Sequence, residues 1–173
     1  DNLVEVRTPD RRVVLGYDGR GRRMRKRVYR GAKCERDIAY VFSNHTVLHE
    51  IDRITKTTRT YLRDNDRWAT LGHIDTKDGV ETPCLYALSP NDGIDSAWSV
   101  DGAAAWTADQ TIYGDARIQV RRTEVSLRFA NQFYDEDIGL SYNRFRWYDA
   151  RFAAYTSPDP LLLRGTLNPH DYV

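Results

Sequence analysis

Two histidines and a glutamate, His45, His49 and Glu50, are close enough in the sequence to suggest a metal site. The four-residue spacing places both imidazoles on one side of a helix, and on one side of a strand as well, as a pair of metal ligands requires. A third ligand is not evident, and the surrounding YVFSNHTVLHEI has the composition of strands. We therefore expect no metal site and no bound cofactor here.

A basic stretch, RGRRMRKRVYR at residues 20–30, has seven Arg or Lys side chains in eleven residues. Such a run could bind nucleic acid. In a strand, however, alternation sends these charges to both faces, and the whole chain balances 26 Lys and Arg against 25 Asp and Glu. A solvated or salt-bridged wall is therefore favoured over a nucleic-acid-binding module. A Gly-x-Ser-x-Gly nucleophile turn is absent, so no serine triad is predicted.

The composition predicts a folded chain of 173 residues that forms one structural unit. Apolar residues make up 40% and charged residues 29%, and no apolar run reaches the length of a membrane span. Cys34 and Cys84 lie outside any metal-binding spacing, which favours two buried thiols, although an oxidising compartment would allow them to pair. No signal sequence is visible. Because the first residue is aspartate and not methionine, we expect a piece of a longer chain.

Short strands separated by turns are predicted along the whole chain. Candidate strands such as IAYVFSN, TVLHEID and TRTYLRDND alternate with Gly, Asp, Asn or Pro at intervals of about 8–12 residues, which indicates an all-β meander. Four Asp-Gly pairs fit tight hairpin turns that need positive φ angles: Asp18-Gly19, Asp78-Gly79, Asp92-Gly93 and Asp101-Gly102. The alanine-rich SVDGAAAWTADQ could form a short helix, but the turn residues around it favour a hairpin.

The stretch at residues 142–149, YNRFRWYD, is unusually rich in aromatic rings. As one continuous strand it would place Tyr142, Arg144, Arg146 and Tyr148 on one face, with Asn143, Phe145, Trp147 and Asp149 on the other. Both faces would then carry rings and polar groups, whereas a sandwich strand is apolar on one side only.

A Tyr-Asp pair followed by glycine and a second strand occurs more than once. GYDGRGRRMRKRV at 16–28 contains Tyr17, Asp18 and Gly21, FYDEDIGLSYNRF at 133–145 repeats the pattern, and IYGDARIQVRR at 112–122 is a looser version. We expect each tyrosine to pack on a neighbouring hairpin and each aspartate to accept hydrogen bonds from the N–H groups of its own turn.

These motifs resemble the YD repeats of the Rhs proteins, and residues 127–173 resemble the Rhs repeat-associated core. The resemblance covers most of the chain and is weakest over 30–85. The positions that match the core are Leu127, Arg128, Phe129, Gln132, Tyr134, Asp135, Gly139, Leu140, Tyr142, Asn143, Arg144, Tyr148, Asp149, Ser157, Pro158, Asp159, Pro160, Leu167, Asn168, Tyr172 and Val173.

The resemblance implies a bacterial secreted protein that is delivered into target cells. In this family the YD repeats wind into a hollow β-shell around a variable C-terminal toxin, and the core plugs or ends the spiral. Residues 1–126 are then shell hairpins and 127–173 the core plug. The implied partners are the rest of the shell, the toxin, and a delivery apparatus or chaperone, with self-association as an alternative way to cover open sheet edges. The delivery route, a type VI apparatus or a Tc-like complex, stays open.

The resemblance also points to Asp159 as a catalytic residue for self-cleavage. In Rhs proteins two Asp-Pro-x-Gly-Leu stretches are associated with aspartyl-type cleavage between shell and toxin, since paired carboxylates can act as base and acid. Here Asp159 and Pro160 match the first stretch, Leu162 replaces the glycine, and the second stretch is not in the sequence. The alternatives for the chain are thus a structural container and an autoprotease segment that needs a second aspartate from elsewhere.

The four tryptophans are candidates for a carbohydrate platform, since the family has been suspected of contacting cell surfaces. Tryptophan buries a large area, however, so core packing is favoured for them. They are Trp68, Trp98, Trp106 and Trp147.

Overall fold

The computed structural model of the protein describes residues 2–44, 46–64, 69–89, 93–159 and 170. Within these ranges the regular structure is antiparallel β, apart from one turn of 3₁₀ helix at Phe129–Asn131. No helix in this part of the chain is long and apolar enough to cross a membrane. The all-β prediction is confirmed.

The first sheet has eleven strands in the same order as the sequence, so each strand pairs with the next one along the chain. This meander follows from the short strand segments and frequent turn residues that the sequence shows. The strands are β1 (Glu5–Arg7), β2 (Arg12–Tyr17), β3 (Arg23–Arg30), β4 (Lys33–Ser43), β5 (Thr46–Asp52), β6 (Thr57–Arg63), β7 (Thr70–Lys77), β8 (Val80–Leu88), β9 (Ile94–Ser99), β10 (Ala104–Gln110) and β11 (Ala116–Arg121).

The second sheet is formed by the C-terminal part of the chain and has four strands, again in sequence order. They are β12 (Phe133–Asp135), β13 (Leu140–Asn143), β14 (Arg146–Asp149) and β15 (Ala154–Tyr155). The eleven-stranded sheet lies before residue 126 and the four-stranded sheet after it. The division of roles at that point, shell before and plug after, stays a prediction.

Two hairpins form at Asp-Gly pairs as predicted. Asp78 and Gly79, with φ angles of 51° and 79°, make the two-residue loop between the paired residues Lys77 and Val80. Positive φ at both loop residues matches the right-handed twist of the strands, which is why Asp-Gly is favoured there. The alanine-rich stretch forms the hairpin β9–β10, closed around Gly102.

The turn after Asp18 differs in detail from the expectation. Gly21, with φ of 74°, adopts the left-handed conformation in place of Gly19. The Gly21 N–H donates to the Asp18 carbonyl, and the Asp18 N–H donates to the Arg22 carbonyl. The loop between β2 and β3 is therefore longer than a two-residue turn. Asp92 lies outside the described residues.

The prediction of one continuous strand over 142–149 is wrong. Arg144 and Phe145 form a turn, with Arg144 at φ of 52°, and the chain reverses between β13 and β14. Tyr142 and Trp147 become cross-strand partners whose ring centroids are 5.3 Å apart, and both are buried. The hairpin gains this contact between two large rings, which a single extended strand could not make because it places the two residues on opposite faces.

The hydrophobic core lies between the two sheets. Phe133 of β12 packs edge-on against Tyr40 and Tyr61 of the large sheet, at centroid distances of 5.7 and 6.3 Å. The neighbours of inward residues point the other way along each strand. Val41, next to the buried Tyr40, is accordingly 39% exposed, and Leu85, next to the buried Cys84, is 48% exposed. The large sheet thus has one face covered by the C-terminal hairpins and one open, partly apolar face.

Candidate functional site

Four charged side chains meet where the C-terminal hairpins contact the large sheet, and we call Arg23, Lys26, Asp135 and Asp137 the charged junction. Arg23 Nη1 lies 2.6 Å from Asp135 Oδ2, and Lys26 Nζ lies 2.9 Å from Asp135 Oδ1 and 3.0 Å from Asp137 Oδ2. The side chains of Arg23 and Asp135 are 1% and 0% exposed. Buried charges of this kind are tolerated only when they are paired.

Local backbone features bring these groups to the same place. On β3 the register against β2 shifts by one residue at Met24, since Gly16 pairs with Arg25 and Tyr17 with Arg23. This bulge lets Arg23 and Lys26, three residues apart, both face the C-terminal hairpins.

Asp135 is oriented by the turn that follows it. Its Oδ1 accepts a hydrogen bond from the Asp137 N–H at 3.1 Å, and its carbonyl accepts one from the Gly139 N–H at 2.7 Å. Gly139 adopts φ of 77°, which closes the turn. The Tyr-Asp…Gly spacing therefore presents the carboxylate of Asp135 at a defined position at the end of β12.

The electrostatics of the junction favour the charged forms of its members. Burial by itself would raise the pKa of the Asp135 carboxyl, but the charges of Lys26 and Arg23 outweigh it and hold the pKa below its ordinary value. Burial would likewise lower the pKa of Lys26, and the negative charge of Asp135 reverses the direction. Asp135 and Lys26 thus stay ionised in the neutral pH range.

Aromatic rings enclose the guanidinium of Arg23. Its carbon Cζ lies over the ring of Tyr40 at 4.4 Å, and over the rings of Phe133, Tyr142 and Trp147 at 5.0, 5.0 and 5.5 Å. A desolvated cation gains about 2 kcal/mol or more from such contacts. Aromatic residues of the C-terminal hairpins therefore contact and stabilise the buried guanidinium of Arg23 on the large sheet.

Tyrosine hydroxyls join the two sheets by hydrogen bonds to the backbone. Tyr142 donates to the carbonyl of Gly21 at 3.0 Å and accepts from the N–H of Arg23 at 2.9 Å. Tyr148 donates to the carbonyl of Tyr113 at 2.9 Å. Within the large sheet, Tyr17 donates to the carbonyl of Leu3 at 2.7 Å. The predicted motif tyrosines thus hold neighbouring backbone segments, apart from Tyr134, which contacts Arg128 instead.

A second ionic contact lies at Arg128, just before the 3₁₀ turn. Its Nη2 is 2.5 Å from Glu136 Oε1, and its Cζ lies over the Tyr134 ring at 3.9 Å and the Trp106 ring at 5.6 Å. Arg128 is 4% exposed. Together with the charged junction, it places ionic groups on both sides of the turn between β12 and β13.

The other two Tyr-Asp aspartates act locally. Asp18 Oδ1 accepts from the N–H groups of Arg20 and Arg22, each at 2.9 Å, and Asp149 Oδ1 accepts from the N–H of Arg151 at 3.1 Å. Each also pairs with the arginine side chain of its own turn. Asp135 differs because its side-chain partners come from a distant strand.

Asp159, the predicted catalytic residue, lies beside β14. Its Oδ2 is 3.0 Å from Nη2 of Arg146, and the Arg146 guanidinium in turn covers the ring of Tyr155 at 3.6 Å. Pro158 is exposed, and Pro160 and Leu162 lie outside the described residues. Asn143, also predicted as a motif residue, donates from Nδ2 to the Tyr155 hydroxyl at 2.7 Å. A catalytic role for Asp159 stays a prediction.

The basic stretch at 20–30 is engaged largely in ion pairs. Besides Arg23 and Lys26, Arg25 pairs with Asp37 at 2.7 Å and Arg30 with Glu35 at 3.0 Å. These contacts favour the salt-bridged wall over a surface for nucleic acid. The sequence could signal them, because acidic residues of β4 come into reach of β3 once the two strands form a hairpin.

His73 is buried and contacts several polar side chains, an arrangement that the sequence did not indicate. Its Nδ1 is 2.6 Å from the Tyr86 hydroxyl and its Nε2 is 3.6 Å from Asp75 Oδ2, while Arg59 pairs with the same carboxylate at 2.7 Å. Burial lowers the pKa of His73, and Asp75 acts in the opposite direction. The pairing of Arg59 with Asp75 is set by the β6–β7 register, which no single motif reveals.

Of the two histidines considered as metal ligands, one lies in the described part of the chain. His49 contacts the Thr60 hydroxyl through Nδ1 at 3.0 Å, and His45 lies outside the described residues. In the part of the chain that the structure describes, no three His, Cys, Asp or Glu side chains gather as metal ligands do. Both cysteines are free thiols; Cys84 is buried, but Cys34 is only half-buried.

The tryptophans divide into buried and exposed residues. Trp106 and Trp147 are 0% and 4% exposed, so core packing is confirmed for them. Trp98 is 41% exposed on the open face, where its Nε1 donates to the hydroxyl of Ser96 at 2.8 Å, and core packing is wrong for this residue. Trp68 lies outside the described residues.

The fold is shared with solved structures of TcdB2-TccC3. The crystal structure of TcdB2-TccC3-TEV matches with a TM-score of 0.73 and 16% sequence identity, over 96% of this chain and 8% of that one. A crystal structure of TcdB2-TccC3 without the hypervariable C-terminal region also matches with a TM-score of 0.73, over the same shares of the two chains. The described hairpins therefore share the fold of a short portion of these much longer chains.

The sequence relatives include Rhs proteins. The chain is 29% identical over its whole length to the "Probable deoxyribonuclease RhsA" of Dickeya dadantii, of which it covers 12%, and 26% identical over 99% of its length to the "Double-stranded DNA deaminase toxin A" of Burkholderia cenocepacia, of which it covers 14%. It is 48% identical over 46 residues to the "Toxin protein Tse5" of Pseudomonas aeruginosa. No protein-family model matches. The chain is similar to Rhs proteins and to proteins named as toxins, and it is much shorter than these relatives.

Proposed function

We propose that the chain is the last part of an Rhs shell wall together with the core segment that closes it. The shell encloses a C-terminal toxin and takes part in its delivery to a target cell, in competition between bacteria or in insecticidal action. The charged junction carries the proposal, because an ion pair between Arg23 and Asp135 at 1% and 0% exposure anchors the C-terminal hairpins on the wall. Such an anchor suits a plug that must stay in place.

The names of the relatives support the proposal that the shell encloses a toxin. Two of them are named as toxins and one as a probable deoxyribonuclease, and each is far longer than this chain. These names differ in chemistry, whereas the segment that they share with this chain aligns along nearly its full length in two cases. A common container with variable contents accounts for that combination.

Protection of the toxin from protease tests the container function. In the full-length protein that contains this chain, the toxin domain is expected to survive proteinase K at least about tenfold longer than the same domain expressed alone, because cleavage then requires opening of the shell. Fragments are followed by gel electrophoresis and mass spectrometry under native conditions. Equal lifetimes of the enclosed and isolated toxin would rule the container out.

Self-cleavage at Asp159 is a separate proposal for the same full-length protein. With a second aspartate from outside this chain, one carboxylate would activate water and the other would protonate the scissile amide. Nη2 of Arg146 lies 3.0 Å from Asp159 Oδ2 and would hold this carboxylate in place.

Replacing Asp159 by Asn is expected to abolish the cleaved band on a denaturing gel. Asp149→Asn serves as the control, because Asp149 only stabilises its own turn and cleavage should persist. If the Asp159→Asn protein is cleaved at the normal rate, Asp159 has no part in the reaction.

A further inference from the structure

A cleft with a volume of about 360 Å³ opens between the end of β6, the β4–β5 turn and the segment that precedes β12. We call it the arginine cleft, because Arg22, Arg63 and Arg144 line it. None of the described residues that line it is Asp or Glu. Two of the arginines come from the large sheet and one from the C-terminal hairpins, so the cleft exists only when the two parts are assembled. It shares the rings of Phe133 and Tyr142 with the charged junction, but none of the four charged residues of the junction lines it.

Arg63 has an unusual environment for a partly buried cation. Its Nε is buried and has no hydrogen-bond partner among the described residues, and its Nη2 reaches the Val47 carbonyl only at 3.5 Å. The distance is at the long limit for a hydrogen bond. Burial lowers the pKa of Arg63, whereas the pKa values of the ion-paired Arg25 and Arg36 are raised. A guanidinium so placed gains strongly from an anion that enters the cleft.

Gln132 presents an unused acceptor to the same cleft. It is 7% exposed, and its Oε1 is buried with no hydrogen-bond partner in the part of the chain that the structure describes. Its backbone is held on both sides, because its N–H donates to the Phe129 carbonyl and its carbonyl accepts from the Arg128 N–H. A buried acceptor without a donor costs about 1–3 kcal/mol, so a ligand N–H at this position would be favoured.

The walls between these polar groups are aromatic. Phe42, Phe133 and Tyr142 line the cleft together with the arginines and Gln132. A ligand that fits must therefore offer a negative group, an N–H donor and apolar atoms. An acidic residue within an extended peptide offers all three, because its carboxylate suits Arg63, its main-chain N–H suits Gln132, and its methylene groups suit the rings.

We infer that the arginine cleft is a binding site for a carboxylate-bearing peptide segment. Arg63 binds the carboxylate, and Gln132 accepts a hydrogen bond from a peptide N–H. The carboxylate can belong to an acidic side chain or to a peptide C-terminus, which share this chemistry. The inference does not depend on the proposed container function, since it requires only that the two sheets are assembled.

Fluorescence anisotropy of short labelled peptides tests the inference. A capped hexapeptide with one central Glu is expected to bind this chain at least about tenfold more tightly than the same peptide with Gln, because the guanidinium pairs only with the charged side chain. A third peptide with neutral side chains and a free C-terminal carboxylate distinguishes the two sources. Binding of either acid supports the site, and the preferred one identifies the source.

Variants connect the binding to the named residues. Arg63→Gln is expected to weaken the Glu peptide about tenfold or more, while Arg117→Gln, an exposed arginine of β11 outside the cleft, should leave its affinity unchanged. Gln132→Met should weaken the peptide but not glutarate, which has no N–H. Circular dichroism checks each fold, and Arg144→Gln, in the turn between β13 and β14, replaces Arg63→Gln if that variant does not fold.

Three results would overturn the site. The first is equal binding of the Glu and Gln peptides. The second is an unchanged affinity for the Glu peptide in both Arg63→Gln and Arg144→Gln. The third is competition by inorganic phosphate that is as effective as competition by the Glu peptide. The last result would reduce the cleft to a general anion site, in which Gln132 and the aromatic walls have no part.

Discussion

Replacing Asp135 by alanine is expected to lower the free energy of unfolding by about 3–5 kcal/mol, because it leaves Arg23 buried without its carboxylate partner. The effect on Lys26 is smaller, since Asp137 still lies 3.0 Å from its Nζ. Urea denaturation followed by circular dichroism and tryptophan fluorescence measures the change. The C-terminal hairpins should separate from the large sheet at lower urea concentration than in the parent chain.

Asp149→Ala is the matched control for this substitution. Asp149 is also the aspartate of a Tyr-Asp pair and is 8% exposed, but its partner Arg151 has a side chain that is 61% exposed. Its loss should cost only about 1 kcal/mol, as expected for hydrogen bonds near the surface.

A double substitution separates the charge effect from packing. Arg23→Met combined with Asp135→Leu removes both buried charges, and it should recover a large part of the stability lost in Asp135→Ala. If Asp135→Ala costs no more than Asp149→Ala, the charged junction does not hold the two sheets together.

Replacing Trp106 by alanine is expected to cost about 3–5 kcal/mol, the usual range for a large ring removed from a packed interior. Trp106 is 0% exposed on β10, next to Ala97 of β9. The guanidinium of Arg128 lies 5.6 Å from its ring, so the substitution also removes one support of the Arg128–Glu136 contact. Thermal unfolding and urea titration give the loss.

Trp98→Ala provides the comparison within the same sheet. Trp98 is 41% exposed on the open face, and its replacement should change stability by no more than about 0.5 kcal/mol. Trp106→Phe should recover part of the loss in Trp106→Ala, because it keeps an aromatic ring in the core. Equal losses for Trp98→Ala and Trp106→Ala would contradict the division into a covered and an open face.

Local patterns in the sequence predicted the strands and several turns correctly. TVLHEID coincides with β5, and Asp78-Gly79 forms the two-residue hairpin loop. These features depend on neighbours in the chain, since turn geometry is set by the φ angles that single residues accept and strand character by nearby side chains. The turn hydrogen bonds of Asp18 and Asp149 belong to the same group.

Other features needed the packing of the two sheets. The sequence pattern allowed 142–149 to be one strand, and only the cross-strand contact of Tyr142 with Trp147 favours the hairpin. The basic stretch contains seven cationic side chains, but the sequence did not show that Arg23 and Lys26 are the two that turn inward. Their orientation depends on the bulge at Met24. The His73 group likewise follows from the register of β6 with β7 and β8.

The sequence by itself therefore determined an antiparallel β meander, its Tyr-Asp turns and the resemblance to the Rhs family. Tertiary structure alone decided that Arg23 meets Asp135, 112 residues away, and that Arg63 and Gln132 face one cleft. The physical reason is that turns and strands depend on interactions between neighbouring residues, whereas the burial of a charge is tolerated only where a distant partner completes the pair.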